Sequence, residues 1–196
     1  MICKNVSPES LVVDARELSA RLGAPADSLV DGLCELKEKL YSVAKPSYVA
    51  MRVKLNREDG TVAIGNAVSH SRALARLLDG SDECILLVAT LGIGVDRLVM
   101  RTANASPRDA FVIDALADAL IEALCDFAEA EACSGLDTSG RFSPGYADLE
   151  LSLGKEIIAL TDAERTLGIK LTESGLMVPK KSVNAIIAVR NLKNDQ

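Results

Sequence analysis

The sequence predicts an α+β fold, and three observations predict it. Apolar residues recur at helical spacing in several separate stretches, the longest following Ser106-Pro107. Tyr48 to Leu55 alternates and meets Val62-Ala63-Ile64 across Asp59-Gly60, a hairpin signal. Cys84 to Ala89 is continuously apolar, the mark of a strand buried on both faces. The 196 residues are 48% apolar, with no repeat or low-complexity segment. A chain of this size buries roughly 70% of its unfolded surface, which suits one domain, here 1–196 with a helical N-terminal part over 1–45.

In chain order, Ser7-Pro8-Glu9 is a cap with proline at the first helical position. It opens a helix through Leu11, Val12, Ala15, Leu18 and Leu22 to a stop at Gly23. A second helix starts at Ala26 or Asp27 and runs to about Ala44, with Leu29, Leu33, Leu36 and Leu40 on one face. After the hairpin, Ser69 to Leu78 forms a short helix closed by Asp79-Gly80. Gly92-Ile93-Gly94 then turns the buried strand into a helix through Leu98 and Met100. It lacks the third glycine of a dinucleotide fingerprint and is an ordinary strand-to-helix turn. The helix from Pro107 to about Cys133 is apolar on most of its circumference, which places it centrally. A polar passage over 134–151 leads to an amphipathic helix from Leu153 to Leu167, ended by Gly168. Leu176-Met177-Val178 and Val183 to Val189 are strand-like.

Composition excludes several functions. The chain has 22 Lys+Arg against 28 Asp+Glu, a formal charge of −6, and no basic cluster longer than Lys180-Lys181. A nucleic-acid binder needs a basic stripe to neutralise phosphates. Met1 to Ser10 is polar, unlike a signal peptide, and no run approaches the roughly 18 apolar residues of a membrane span. Five cysteines without a C-x-x-C pair suit reduced thiols, so the expected location is the cytoplasm. A single histidine, His70, at the start of a short helix, is read as a capping or surface residue. It argues against a conventional zinc site, and no metal is expected.

Two constellations carry chemistry. The long helix bears Asp114, Asp118, Glu122 and Asp126 at steps of four, on one slowly drifting stripe. This is either a solvated face or a face turned to a cationic ligand, and spacing alone does not choose. Gly140-Arg141-Phe142-Ser143-Pro144-Gly145-Tyr146 gathers two of the six aromatics into one short segment. Arg141 offers a planar fork for a carboxylate or phosphate, and Gly145 lets backbone approach a ligand closely. Tyr146 supplies an aromatic face with a hydroxyl tip. The alternative is a structural turn in which Phe142 and Tyr146 are merely packed.

The last third of the chain resembles the reactivation domain of cobalamin-dependent methionine synthase, particularly its stand-alone forms. Ala115 to Glu122, Arg141 to Tyr146, Asp162-Ala163-Glu164, Leu167-Gly168 and Leu171-Thr172-Glu173-Ser174 carry the resemblance. It continues through Met177, Pro179 and Ser182-Val183, in order over roughly 107–190. The implied fold is a C-shaped α+β domain, with a bent antiparallel sheet and surrounding helices. The implied function is accessory: binding S-adenosylmethionine and supporting reductive remethylation of cob(II)alamin on a separate methionine synthase.

By this resemblance Glu122, Arg141, Ser143, Gly145 and Tyr146 form the S-adenosylmethionine site. Arg141 would hold the methionine carboxylate, Glu122 the amino end, and backbone around Ser143 the adenosine. Tyr146 would face the corrin, and Asp114, Asp118 and Asp126 remain solvent-facing. No side chain acts as a catalytic acid or base. The chain has no D-x-H-x-x-G sequence for the cobalt's lower histidine and no cysteine set for a zinc. It is therefore not expected to turn over alone. Cobalamin would come on a partner, the methionine synthase core or a related corrinoid protein, and the electron from a reductase. The alternative is a non-catalytic S-adenosylmethionine- or corrinoid-binding regulator or chaperone of another corrinoid methyltransferase. Ala147 to Ser152 departs from the Pro/Cys/His-containing stretch of the full-length enzymes, and no N-terminal acid matches their ligand contact.

Overall fold

Strand β5 (Glu83–Thr90) runs through the middle of the molecule and explains its own apolar sequence. Cys84, Leu86 and Val88 enter one apolar cluster, and Ile85, Leu87 and Ala89 enter another on the opposite face. The run is continuous because both sides of the sheet are covered. The computed structural model describes residues 1–23, 30–58 and 61–190. The Asp59-Gly60 turn and the predicted start of the second helix lie outside the described residues.

Antiparallel neighbours flank β5: β2 (Ser47–Glu58), with Val49 opposite Val88, and β8 (Ser182–Val189), with Ile187 opposite Ile85. The far end of β2 pairs with β3 (Thr61–Ile64), as the hairpin signal implied, and β3 pairs with β4 (Ala67–Ser69). The near end of β2 also takes β1 (Ile2–Asn5). The order β4-β3-β2-β5-β8 makes a curled antiparallel half-barrel with helices about it.

Against one face lies α5 (Pro107–Ala132). The Ser106 hydroxyl accepts from Asp109 N at 3.3 Å, and Pro107 occupies a first-turn position whose N–H would have no intrahelical partner. Ile113, Leu120 and Leu124 are fully buried beneath it. Each is worth about 2–5 kcal/mol against alanine. Three further helices surround α5: α1 (Ala15–Leu22), α2 (Val30–Val43) and α4 (Ile93–Ala105). A Cβ added at Gly94 would lie 2.5 Å from the Val43 carbonyl oxygen. The glycine therefore serves close approach of α4 to α2, consistent with an ordinary strand-to-helix turn.

The N-terminal part corrects two expectations. It is not wholly helical, because β1 opens it, and Leu11, Leu18, Leu36 and Leu40 belong to the apolar cluster of α5. The helix expected from Pro8 to Leu22 is a 3-10 turn at Pro8–Ser10, a break, and then α1. At the break Leu11 turns inward while Val12 is 89% exposed. The Asp14 carboxylate accepts from Arg16 N at 2.7 Å and restarts the helix.

The other face carries α3 (Arg72–Leu77), α6 (Leu153–Leu160) and α7 (Ala163–Leu167). The single amphipathic helix expected over Leu153 to Leu167 is thus two. Asp162 sits at φ 53° in left-handed geometry between them. The helix expected from Ser69 begins only at Arg72, because Ser69 is spent in β4 and Ser71 is the cap. Two short strands, β6 (Lys170–Leu171) and β7 (Met177–Val178), form a small separate hairpin. Among the described residues, no helix is long and apolar enough to cross a membrane.

Candidate functional site

The acid stripe of α5 divides into two groups, each closed around one cation. Lys181, from the segment entering β8, reaches Asp114 at 2.9 Å and Asp118 at 2.5 Å; Arg21 also approaches Asp118 at 3.4 Å. Arg141 donates to Glu122 at 3.2 Å, to Asp126 at 2.8 Å and to Glu129 at 2.6 Å. The expectation that Asp114, Asp118 and Asp126 face solvent holds for Asp126, which is 72% exposed although paired, and is corrected for Asp114 and Asp118, which are only partly exposed. The cations that pair with them lie far along the chain, where helix spacing gives no hint of them. Burial works to lower the Arg141 pKa, but the hydrogen bond to Asp126 and the nearby Asp126 and Glu129 charges outweigh it and hold it above its ordinary value.

Arg141 is placed by backbone pairing. The polar passage after α5 runs beside β8: Ser139 N donates to Ala188 O, and Phe142 and Ile186 exchange both backbone bonds at 2.9 and 2.8 Å. Phe142 packs into the cluster beneath the sheet, while Tyr146 stands 68% exposed. The packed alternative therefore holds for Phe142 and fails for Tyr146. Gly145, at φ 92°, makes the turn between them, and its N–H donates to Leu149 O at 2.9 Å.

Beyond Tyr146 the chain is tied down by Asp148. Its carboxylate accepts from the Ser71 hydroxyl at 2.6 Å, Arg72 N at 2.8 Å and Ala73 N at 3.1 Å. The Ser71 hydrogen bond, with the two backbone N–H groups, holds this carboxyl below the usual range. His70 beside it is exposed and does not cap; Ser71 does, accepting from Leu74 N at 3.0 Å.

These segments enclose a hollow of about 640 Å³. Glu122, Arg141, Ser143 and Tyr146, all singled out from sequence, line it together. Gly145 is not among the lining residues; it bends the chain that is. Sequence reasoning missed Asp126 and Glu129 as lining partners of Arg141, and missed Asn184 on β8 and Gly175 and Met177 on the hairpin. The Thr172-Glu173-Ser174 motif is the signal that could have found the last two. Gly175 N donates to Thr172 O, and the Thr172 hydroxyl accepts from Leu176 N at 3.0 Å, folding the hairpin tip. Gly175 is then turned at φ 84° against Leu151, where a Cβ would meet that side chain at 3.1 Å.

Two cysteines near the core take no part in the hollow. Burial pushes the thiols of Cys84 and Cys125 up to about 12, leaving them as packing groups. Among the described residues, no group of three or more His, Cys, Asp or Glu side chains is arranged to hold a metal ion.

Curled sheet, central helix and side hollow together make an α+β architecture with a known counterpart. No family model matches the chain, and no curated protein matches it. Among solved structures 13 chains match. One is the crystal structure of the MetH reactivation domain bound to AdoHcy, with a TM-score of 0.76 and 18% identity. The match covers 96% of this chain and 78% of that one. The fold is that of the MetH reactivation domain, as the sequence resemblance implied.

Proposed function

We propose that this chain binds S-adenosylmethionine in the hollow and, as an accessory protein, supports reductive remethylation of cob(II)alamin on a separate cobalamin-dependent methionine synthase. The observation that carries the reading is the convergence of Arg141, Glu122 and Tyr146 on one cavity from separate segments. The fold supports it, since the similar solved domain is bound to AdoHcy. About 640 Å³ falls within the usual range for small-molecule sites.

The residues present suit this ligand. Its zwitterionic end needs one cation and one anion, which Arg141 and Glu122 supply. A guanidinium has five N–H donors, so Arg141 can keep its acids and still reach a ligand carboxylate. Asp126, with its side chain 72% exposed, is the acid most easily displaced. Backbone around Ser143, shaped by the bend at Gly145, would meet the adenosine, and Tyr146 at the rim would face the corrin. S-adenosylmethionine supplies an electrophilic methyl group, and the nucleophile is the cobalt of a reduced corrinoid carried by the partner. The chain's contribution is orientation, aligning the departing sulfur with the incoming nucleophile. The partner would be the corrinoid-bearing synthase core, and a reductase would deliver the electron, all in the cytoplasm.

The test has two stages. Calorimetric titration of the chain with S-adenosylmethionine, with and without cobalamin, should show saturable binding; none at millimolar ligand removes the reading. Mixing the chain with ligand, reductant and a methionine synthase lacking its own reactivation domain should then restore methylcobalamin. Binding without methyl transfer would instead support a regulator or chaperone of another corrinoid methyltransferase.

A further inference from the structure

Among the described residues, the charged groups lining the hollow do not balance. Glu122, Asp126 and Glu129 face a single guanidinium, that of Arg141. The other nearby cation, Lys181, is spent on Asp114 and Asp118. A zwitterionic ligand end matches Arg141 and Glu122 charge for charge and leaves two carboxylates over. These two are differently placed: the Glu129 side chain is 25% exposed and that of Asp126 72%. S-adenosylmethionine carries one more positive charge, on sulfur. Its demethylated thioether has the same amino acid and the same adenosine without that charge.

We propose that Asp126 and Glu129 are specificity-determining residues that make the hollow select a sulfonium ligand over the corresponding thioether. This rests on the ligand reading given above and adds a direction to it: the site loosens its hold once the methyl group is gone. A unit charge set against a surplus of negative charge in a partly exposed cleft corresponds to roughly tenfold in affinity or more at low salt. The Debye length shrinks from about 10 Å at 0.1 M salt to about 3 Å at 1 M, so the preference fades as salt is added.

The experiment titrates the full chain with S-adenosylmethionine and with S-adenosylhomocysteine in low and high salt, then repeats both with Asp126→Asn, Glu129→Gln and the double variant. The affinity ratio is the readout, because freeing Arg141 moves both affinities together and leaves their ratio alone. The wild-type ratio should be roughly tenfold at low salt and contract in high salt. Each neutralisation should lower it, and the double variant should bring it near one. Equal affinities for the two ligands in the wild type, unmoved by salt, overturn this inference and leave the ligand reading standing. Failure of either ligand to bind overturns both. Should Glu129→Gln fail to fold, the wild-type salt series and the exposed Asp126→Asn still decide the matter.

Discussion

Lys181 and Arg141 perform the same task on the same helix with different results. Both are cations from the C-terminal third, nearly buried, and gripped by acids one turn apart on α5. Around Lys181 the acids and the cation close on each other, helped by Arg21 at Asp118. Lys180 N adds a bond to Asp96 at 2.9 Å, pinning the same segment to α4. Around Arg141 the grip opens onto a hollow, with a third acid and an exposed tyrosine at its edge. One cluster is a fastening and the other borders a cavity. The difference is geometric: the lysine segment runs straight into β8, while the arginine segment turns away at Gly145 and leaves space.

Replacing each cation separates the two roles. Arg141→Ala should weaken S-adenosylmethionine binding by about 1.5–3 kcal/mol, the range for charged hydrogen bonds. Unchanged affinity in calorimetry would mean that the arginine is another fastening. Gly94→Ala, outside the lining of the hollow, forces a Cβ against the Val43 carbonyl and should cost about 1–3 kcal/mol of stability in urea unfolding. Ligand affinity per folded molecule should stay the same, which makes it a control for general loosening. Lys181→Met keeps the buried stem and removes the charge from between acids that are themselves partly exposed. It should cost about 1 kcal/mol of stability and little affinity. A large affinity loss with intact stability would make Lys181 part of the site.

The smallest effect is expected at Asp148. Its folded pKa lies below the unfolded one, so its stabilisation is present above the unfolded value and is lost as pH falls through the folded one. The advantage of wild type over Asp148→Asn, full at neutral pH, should therefore shrink below about pH 4. A gap between the two unfolding midpoints that stays constant into that range would show that the carboxylate charge is not what anchors the loop.

Legibility in the sequence followed the range of the interaction. The buried strand β5, the long helix α5 with its Ser106-Pro107 start, and the β2–β3 hairpin were all readable, because periodicity and caps are local. The break at Leu11 and the split at Asp162 were not, since each depends on where a side chain finds tertiary cover. Strand β1 escaped because Ile2–Asn5 is short and mostly exposed, with only one residue turned partly inward. At the site, four of the five named residues share the hollow. Glu129 was missed because it falls off the four-residue spacing, and Asn184 because it arrives on another strand. Nothing within α5 announces that Arg141 will cross to it.

Among the described residues, every one that lines the hollow lies between 122 and 184. The described residues before 122, including β1 to β5 and α1 to α4, act as a plinth: they cover the underside of α5 and fix the curl of the sheet without lining the cavity. An engineer could rebuild that plinth around any scaffold presenting the same helix and the same two strands.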